Sequence, residues 1–132
     1  YKDAIFTKEP GGTDIGKKIR QIILNDNIKS NISEMFLFLA DRAEHIHKII
    51  KSNQIKTIIS DRSLISGIAY AKNLPLEIAT SLNLIAVDNI LPTHTIMLEL
   101  NKNELIKRLG SKENDNIESR GIKYLLDIQD RL

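Results

Sequence analysis

Three short apolar runs, separated by long stretches with helical spacing, predict an α/β domain built on a parallel sheet flanked by helices. The runs fall at residues 4–7, 57–60 and 95–100. Strands joined by long helical crossovers pair in parallel, with right-handed connections. Polar clusters, Glu9-Pro10-Gly11-Gly12 and Asp61-Arg62, directly follow the first two runs. In such sheets ligands sit beyond the carboxyl ends of the strands, so both clusters point to one crevice.

Each element has a local reason. Residues 4–7 are apolar and stop at Pro-Gly-Gly, a buried strand running into a turn. Ile15, Ile19, Ile22 and Ile23 then recur at helical spacing up to Asn25-Asp26-Asn27, with Thr13 as a candidate cap. Asn31 with Glu34 three residues on resembles a capping box for a long helix to about Asn53. Met35, Leu39, Ala43, Ile46 and Ile50 are predicted to line its buried face. The second strand, residues 57–60, is followed by a helical segment to about Lys72, and Asn73-Leu74-Pro75 leads into a helix over 76–87. The third strand, 95–100, is apolar on both faces. Asn101 with Glu104 caps a helix to about Leu109, a polar loop covers 110–115, and a last helix runs to the end. Residues 1–132 are expected to form a single domain.

Composition narrows the function. The net charge of +2, with both signs interspersed, argues against a nucleic-acid or membrane-surface binder, which needs a basic stripe. Cysteine is absent, which removes disulfides and thiolate metal sites and makes the cytoplasm the expected home. No apolar run approaches the roughly 18 residues of a membrane span. His45 and His47 lie two apart on a helix and face different sides, so they make no metal pair, and His94 has no evident partner. No protein-held metal is expected.

Gly11 to Lys18 has the outline of a phosphate-binding P-loop, G-x-x-x-x-G-K. The match ends on Lys18, where a Ser or Thr hydroxyl would bind Mg²⁺. Pro10 and Asp14 are also ill suited to a cradle of backbone N–H groups. Arg62 beside Asp61, at a strand end, suggests an ion pair or a polar ligand site. For Arg42 the simplest reading is a solvated side chain paired one turn away. Two guanidiniums facing one crevice would instead suit a phosphate. Phe38 lies one helical turn before Arg42, either as core or as a platform for a base.

Taken together, Thr7-Lys8-Glu9-Pro10-Gly11-Gly12-Thr13, Leu37-Phe38-Leu39-Ala40-Asp41-Arg42 and Asp61-Arg62-Ser63 with Ala69-Tyr70 resemble the bacterial thymidylate kinase family. That family shows T-R-E-P-G-G-T, L-F-x-A-x-R and D-R-Y-x-x-S-x-x-A-Y in this order. The resemblance implies a three-layer P-loop kinase fold, incomplete in this chain. It implies transfer of the γ-phosphoryl group of Mg²⁺-bound ATP to dTMP, giving dTDP and ADP, by a cytoplasmic homodimer. Phe38 would stack on thymine, Arg42 would contact the nucleotide, and Arg62 would hold the dTMP phosphate. Asp61 would orient Arg62 or the Mg²⁺ shell, and Tyr70 would pack by the deoxyribose. Lys8, Glu9 and Pro10 would meet the acceptor phosphate. A lid-like loop over 110–118, with Lys112, Asp115 and Glu118, would close over ATP.

The chain departs from the pattern at several positions. Lys8 replaces an Arg, a point charge in place of a fork. Ser63 replaces the common Tyr, and Gly67 stands where many members place Ser, Thr or Asn near the base. The lid carries few cations, with only Lys107, Arg108 and Lys112 near it. The resemblance also implies a strand and a true P-loop ahead of Tyr1, and further elements after Leu132. This polypeptide alone is therefore expected not to catalyse the transfer. Two other readings compete: a different nucleotide or deoxynucleoside kinase of the same fold, and a non-catalytic nucleotide-binding module that uses Gly11–Lys18.

Overall fold

The computed structural model describes residues 3–111 and 113–132. These gather into two compact units, the first up to Leu91 and the second from Pro92 to Leu132.

In the first unit, β1 (Ile5–Lys8) and β2 (Ile58–Asp61) pair in parallel, with Ile5 opposite Ile58 and Lys8 opposite Asp61. Both strands end one residue later than predicted. The ladder is extended at one end by Ile5 N–H donating to the Thr57 carbonyl (2.9 Å) and at the other by Glu9 N–H donating to the Asp61 carbonyl (3.0 Å). This last bond ties the two loops that carry the polar clusters side by side. The strands alternate half-buried and exposed residues rather than being buried on both faces; Phe6 is 73% exposed, and Ile59, its register partner, is also exposed.

Between the strands run α1 (Asp14–Asn25) and α2 (Asn31–His45). Thr13 caps α1 as predicted, its hydroxyl accepting from Gly16 N–H at 2.9 Å. Ile19 and Ile23 form the buried stripe of α1, while Ile15 and Ile22 are exposed. The cap of α2 is Ser30, whose hydroxyl accepts from Ser33 N–H, one residue earlier than predicted. The helix continues through a π-helical turn (Ile46–Ile50) and a 3₁₀ turn (Lys51–Asn53), reaching the predicted end.

The buried face of α2 departs from the apolar reading. Asp41, Arg42, His45 and Ile46 are buried, and Ala43 is exposed. Apolar periodicity cannot reveal a stripe whose buried members are mostly polar. Helices α3 (Leu64–Tyr70) and α4 (Leu76–Ala86) follow β2, and Ile46, Leu64 and Val87 make the apolar cluster that joins this side.

In the second unit, residues 95–100 carry no strand, contrary to the sequence expectation. A strand exists only where a neighbour accepts its ladder of hydrogen bonds, whatever its intrinsic preference. Among the described residues none does, and Ile96 and Leu98 are each 86% exposed. Leu100 instead exchanges its N–H and carbonyl with the Gln129 side-chain amide (2.9 and 3.1 Å). Helix α5 (Lys102–Leu109) is capped by Asn101, whose Oδ1 accepts from Glu104 N–H at 2.9 Å, as predicted. A 3₁₀ turn (Glu118–Arg120) then leads to α6 (Ile122–Gln129).

Candidate active site

The chain leaves β1 and turns sharply. The Glu9–Pro10 peptide is cis, Gly11 has φ +109°, and the turn folds back onto α1 and α2. Its backbone is held from below by long side chains. Arg20 of α1 donates to the Pro10 carbonyl (3.1 Å), and Gly11 N–H donates to Asp41 Oδ1 of α2 (2.9 Å). Gly12 is forced by proximity, since a Cβ there would lie 2.6 Å from His45 Cδ2 and 2.7 Å from Thr7 Oγ1.

Glu9 is the hub. The residue is only 5% exposed, and its carboxylate accepts from Arg42 Nε at 2.7 Å and from His45 Nδ1 at 2.8 Å. The other nitrogen of His45, Nε2, meets the Thr7 hydroxyl at 2.7 Å. The imidazole thus bridges the strand end and the turn. A carboxylate buried without such donors would be expensive, and here two charge-capable donors surround it.

Arg42 is 3% exposed, not the solvated side chain of the simplest reading, and its partners come from three other segments. Nε donates to Glu9, Nη1 to Asn83 Oδ1 of α4, and Nη2 to the Ser63 carbonyl at 3.0 Å. Burial raises the Asp41 carboxyl above its ordinary range. The Gly11 N–H opposes that shift, and the nearby Glu9 adds to it.

The other predicted residues sit around this network. Lys8 and Asp61 are exposed at the paired strand ends, and Pro10 is buried in the turn. Arg62 is exposed in a left-handed conformation (φ 71°), with its guanidinium 5.4 Å from the centre of the Tyr70 ring. Phe38 is half-buried one turn before Arg42, and Gly67 lies directly against Arg42 and Asn83. In the second unit, Asp115 Oδ1 accepts from Ile117 N–H and Glu118 N–H (both 2.9 Å), and Glu118 Oε2 accepts from Asp115 N–H (3.3 Å). This acidic pair is a reciprocal cap for the 3₁₀ turn. Lys112 lies outside the described residues.

Sequence reasoning missed Asp41, His45 and Asn83. The spacing argument dismissed His45 as a metal ligand and left it without a role. Asn83 gave no signal, because its partner is 41 residues away.

The architecture is that of a P-loop kinase. The crystal structure of thymidylate kinase from Ehrlichia chaffeensis matches with a TM-score of 0.75 and 25% identity, covering 98% of this chain and 66% of that one. The class is therefore nucleoside monophosphate kinase, an ATP-dependent phosphotransferase. A family model described as thymidylate kinase matches residues 1–132. Thymidylate kinase of Aliarcobacter butzleri is 58% identical over the whole chain, which spans 70% of that protein. Thymidylate kinase of Campylobacter jejuni (strain RM1221) is 52% identical, with 69% of its length spanned. The chain belongs to the thymidylate kinase family, whose reaction is phosphorylation of dTMP to dTDP.

Proposed function

We propose that this chain supplies the acceptor side of the family's reaction, binding dTMP against the loop from Thr7 to Thr13 and the face of α2. In this reading Phe38 stacks on thymine and Arg42 contacts the nucleotide. Tyr70 and Gly67 border the sugar and base, and Arg62 holds the acceptor phosphate with Asp61 beside it. Lys8, Glu9 and Pro10 shape the phosphate end. One observation carries it: three predicted blocks, distant in sequence, meet at Arg42, which contacts Glu9 of the first block and Ser63 of the third.

Catalysis in this class is positioning and charge neutralisation of an in-line transfer. Glu9, enclosed by Arg42 and His45, therefore acts by fixing the loop rather than by touching phosphate. Mg²⁺ would supply neutralisation of phosphate charge. The ion would arrive on ATP, held mainly by the phosphates, with Asp61 as an outer partner. The 110–118 loop, with Lys112, Asp115 and Glu118, is assigned to the lid over ATP. A homodimer in the cytoplasm completes the reading. No helix among the described residues is long and apolar enough to cross a membrane.

The non-catalytic alternative needs free backbone N–H groups at residues 11–18 to hold a triphosphate. Gly11 N–H is bonded to Asp41 and Gly16 N–H to Thr13, which disfavours it. A different acceptor is favoured only by Gly67 and Ser63. Turnover of dTMP, dUMP, dCMP, dGMP and thymidine by the full-length protein tests the reading. We expect dTMP to have the highest kcat/KM and Arg62→Ala to raise its KM. A preference for another acceptor, or tight ATP binding at residues 11–18, would reject it.

A further inference from the structure

Position 67 is glycine, and the reason is visible. A Cβ on Gly67 would lie 2.2 Å from Arg42 Nη1 and 2.3 Å from Asn83 Oδ1. The space that a side chain would take is filled by a guanidinium from α2 and an amide from α4. Asn83 is 1% exposed and oriented at both ends. Its Nδ2 donates to the Ala79 carbonyl one turn earlier (2.8 Å), which turns Oδ1 toward Arg42 Nη1. Asn83 is therefore a buried acceptor aimed at Arg42.

Arg42 in turn is held at three points, through Nε, Nη1 and Nη2. A guanidinium carries five N–H bonds. One on Nη1 and one on Nη2 thus have no acceptor among the described residues. Their direction is set by the three bonds already made, and the Asn83 bond is the only one of the three from a helix outside the three recognised blocks.

We propose that Asn83 is a positioning residue for nucleotide binding: it fixes the Arg42 guanidinium so that its remaining N–H groups meet dTMP. The proposal rests on the reading that Arg42 contacts the acceptor nucleotide. Asn83 itself touches no reacting atom. Its effect runs through Arg42, so it should be lost when Arg42 is lost.

The test compares Asn83→Leu, Asn83→Asp, Arg42→Ala and the Asn83→Leu/Arg42→Ala double variant in the full-length protein. It reads KM for dTMP, KM for ATP, kcat and thermal midpoint. Asn83→Leu keeps the size but removes the acceptor. It is expected to raise KM for dTMP roughly tenfold or more, the effect of one charge-assisted bond, with KM for ATP unchanged. Asn83→Asp keeps an acceptor on Nη1 and is expected to stay near the parent KM. The double variant is expected to match Arg42→Ala alone, since neighbours acting as one unit do not add. If Asn83→Leu does not fold, Asn83→Ala carries the same comparison. A lowered midpoint with unchanged KM for dTMP would mean a purely structural Asn83 and overturn the proposal, as would additive losses in the double variant. If Arg42→Ala leaves KM for dTMP unchanged, the Arg42 reading fails and the proposal with it. If Arg42→Ala is impaired and Asn83→Leu is silent, the proposal alone fails.

Discussion

Arg42 Nε and Glu9 Oε2 lie 2.7 Å apart, with 3% and 4% of their side chains exposed. Removing one partner of such a pair leaves the other charge buried without compensation, which typically costs about 3–5 kcal/mol. Glu9→Leu should therefore destabilise by roughly that amount, since it strands both Arg42 and His45. Pairing it with Arg42→Met should recover part of the loss, because two apolar side chains leave no orphaned charge there. Urea unfolding of the two single variants and the double variant measures this. A double variant no more stable than Glu9→Leu would show that the pair is not the seat of the effect.

The second prediction concerns pH. Burial holds the Asp41 carboxyl above its ordinary range. The folded chain then binds that proton more tightly than the unfolded chain does. The stability this contributes is fully present below the unfolded carboxylate range and is lost as pH rises through the raised folded value. Asp41→Asn keeps an oxygen for Gly11 N–H but has no proton to lose. Relative to the parent, the variant should gain stability with rising pH across that window and then hold a constant difference. Matched unfolding curves from acid to neutral pH read it directly. A difference that is flat, or that shrinks with pH, counts against the account.

What the sequence made legible was local. Thr13 and Asn101 announce their helices because a cap acts over three residues, and both bonds form as expected. The meeting of the motif blocks was legible in part, since Glu9, Arg42 and Ser63 each sit in a compact motif and Arg42 bonds to the other two. The polar stripe of α2 was not. Asp41, Arg42 and His45 are buried because Glu9, Gly11 and Asn83 wait on other segments, and no window of a helix contains that information. Residues 95–100 show the opposite failure, in which strong β preference produced no strand without a partner.

Close packing around the turn gives a third prediction. A Cβ on Gly12 would sit 2.6 Å from His45 Cδ2, 2.7 Å from Thr7 Oγ1 and 2.8 Å from the Lys8 carbonyl. Some of those atoms belong to the ladder and the His45 bridge and cannot yield easily. Gly12→Ala should cost about 1–3 kcal/mol, as overpacking does. Gly110 is the contrast, with φ −76° and its nearest atom, the Ile106 carbonyl oxygen, 3.4 Å from a built Cβ. Gly110→Ala should be neutral or stabilise by up to about 1 kcal/mol, by restricting the unfolded chain. Denaturant midpoints of the two variants should move in clearly different degrees. Equal losses would mean that the crowding at Gly12 is absorbed elsewhere.

The last prediction separates structure from chemistry in the 110–118 loop. Asp115 Oδ1 satisfies two N–H groups, those of Ile117 and Glu118, and Glu118 returns a bond to Asp115 N–H. Asp115→Ala removes the acceptor for both, and loss of a helix cap of this kind costs about 1 kcal/mol. Opening of that turn should become several-fold more frequent, so amide hydrogen exchange at Ile117 and Glu118 should accelerate by a similar factor. Asp115→Asn retains the oxygen and should exchange at nearly the parent rate. If the loop's acids were there for charge alone, Asn and Ala would behave alike, and that result would remove capping as the reason for the pair.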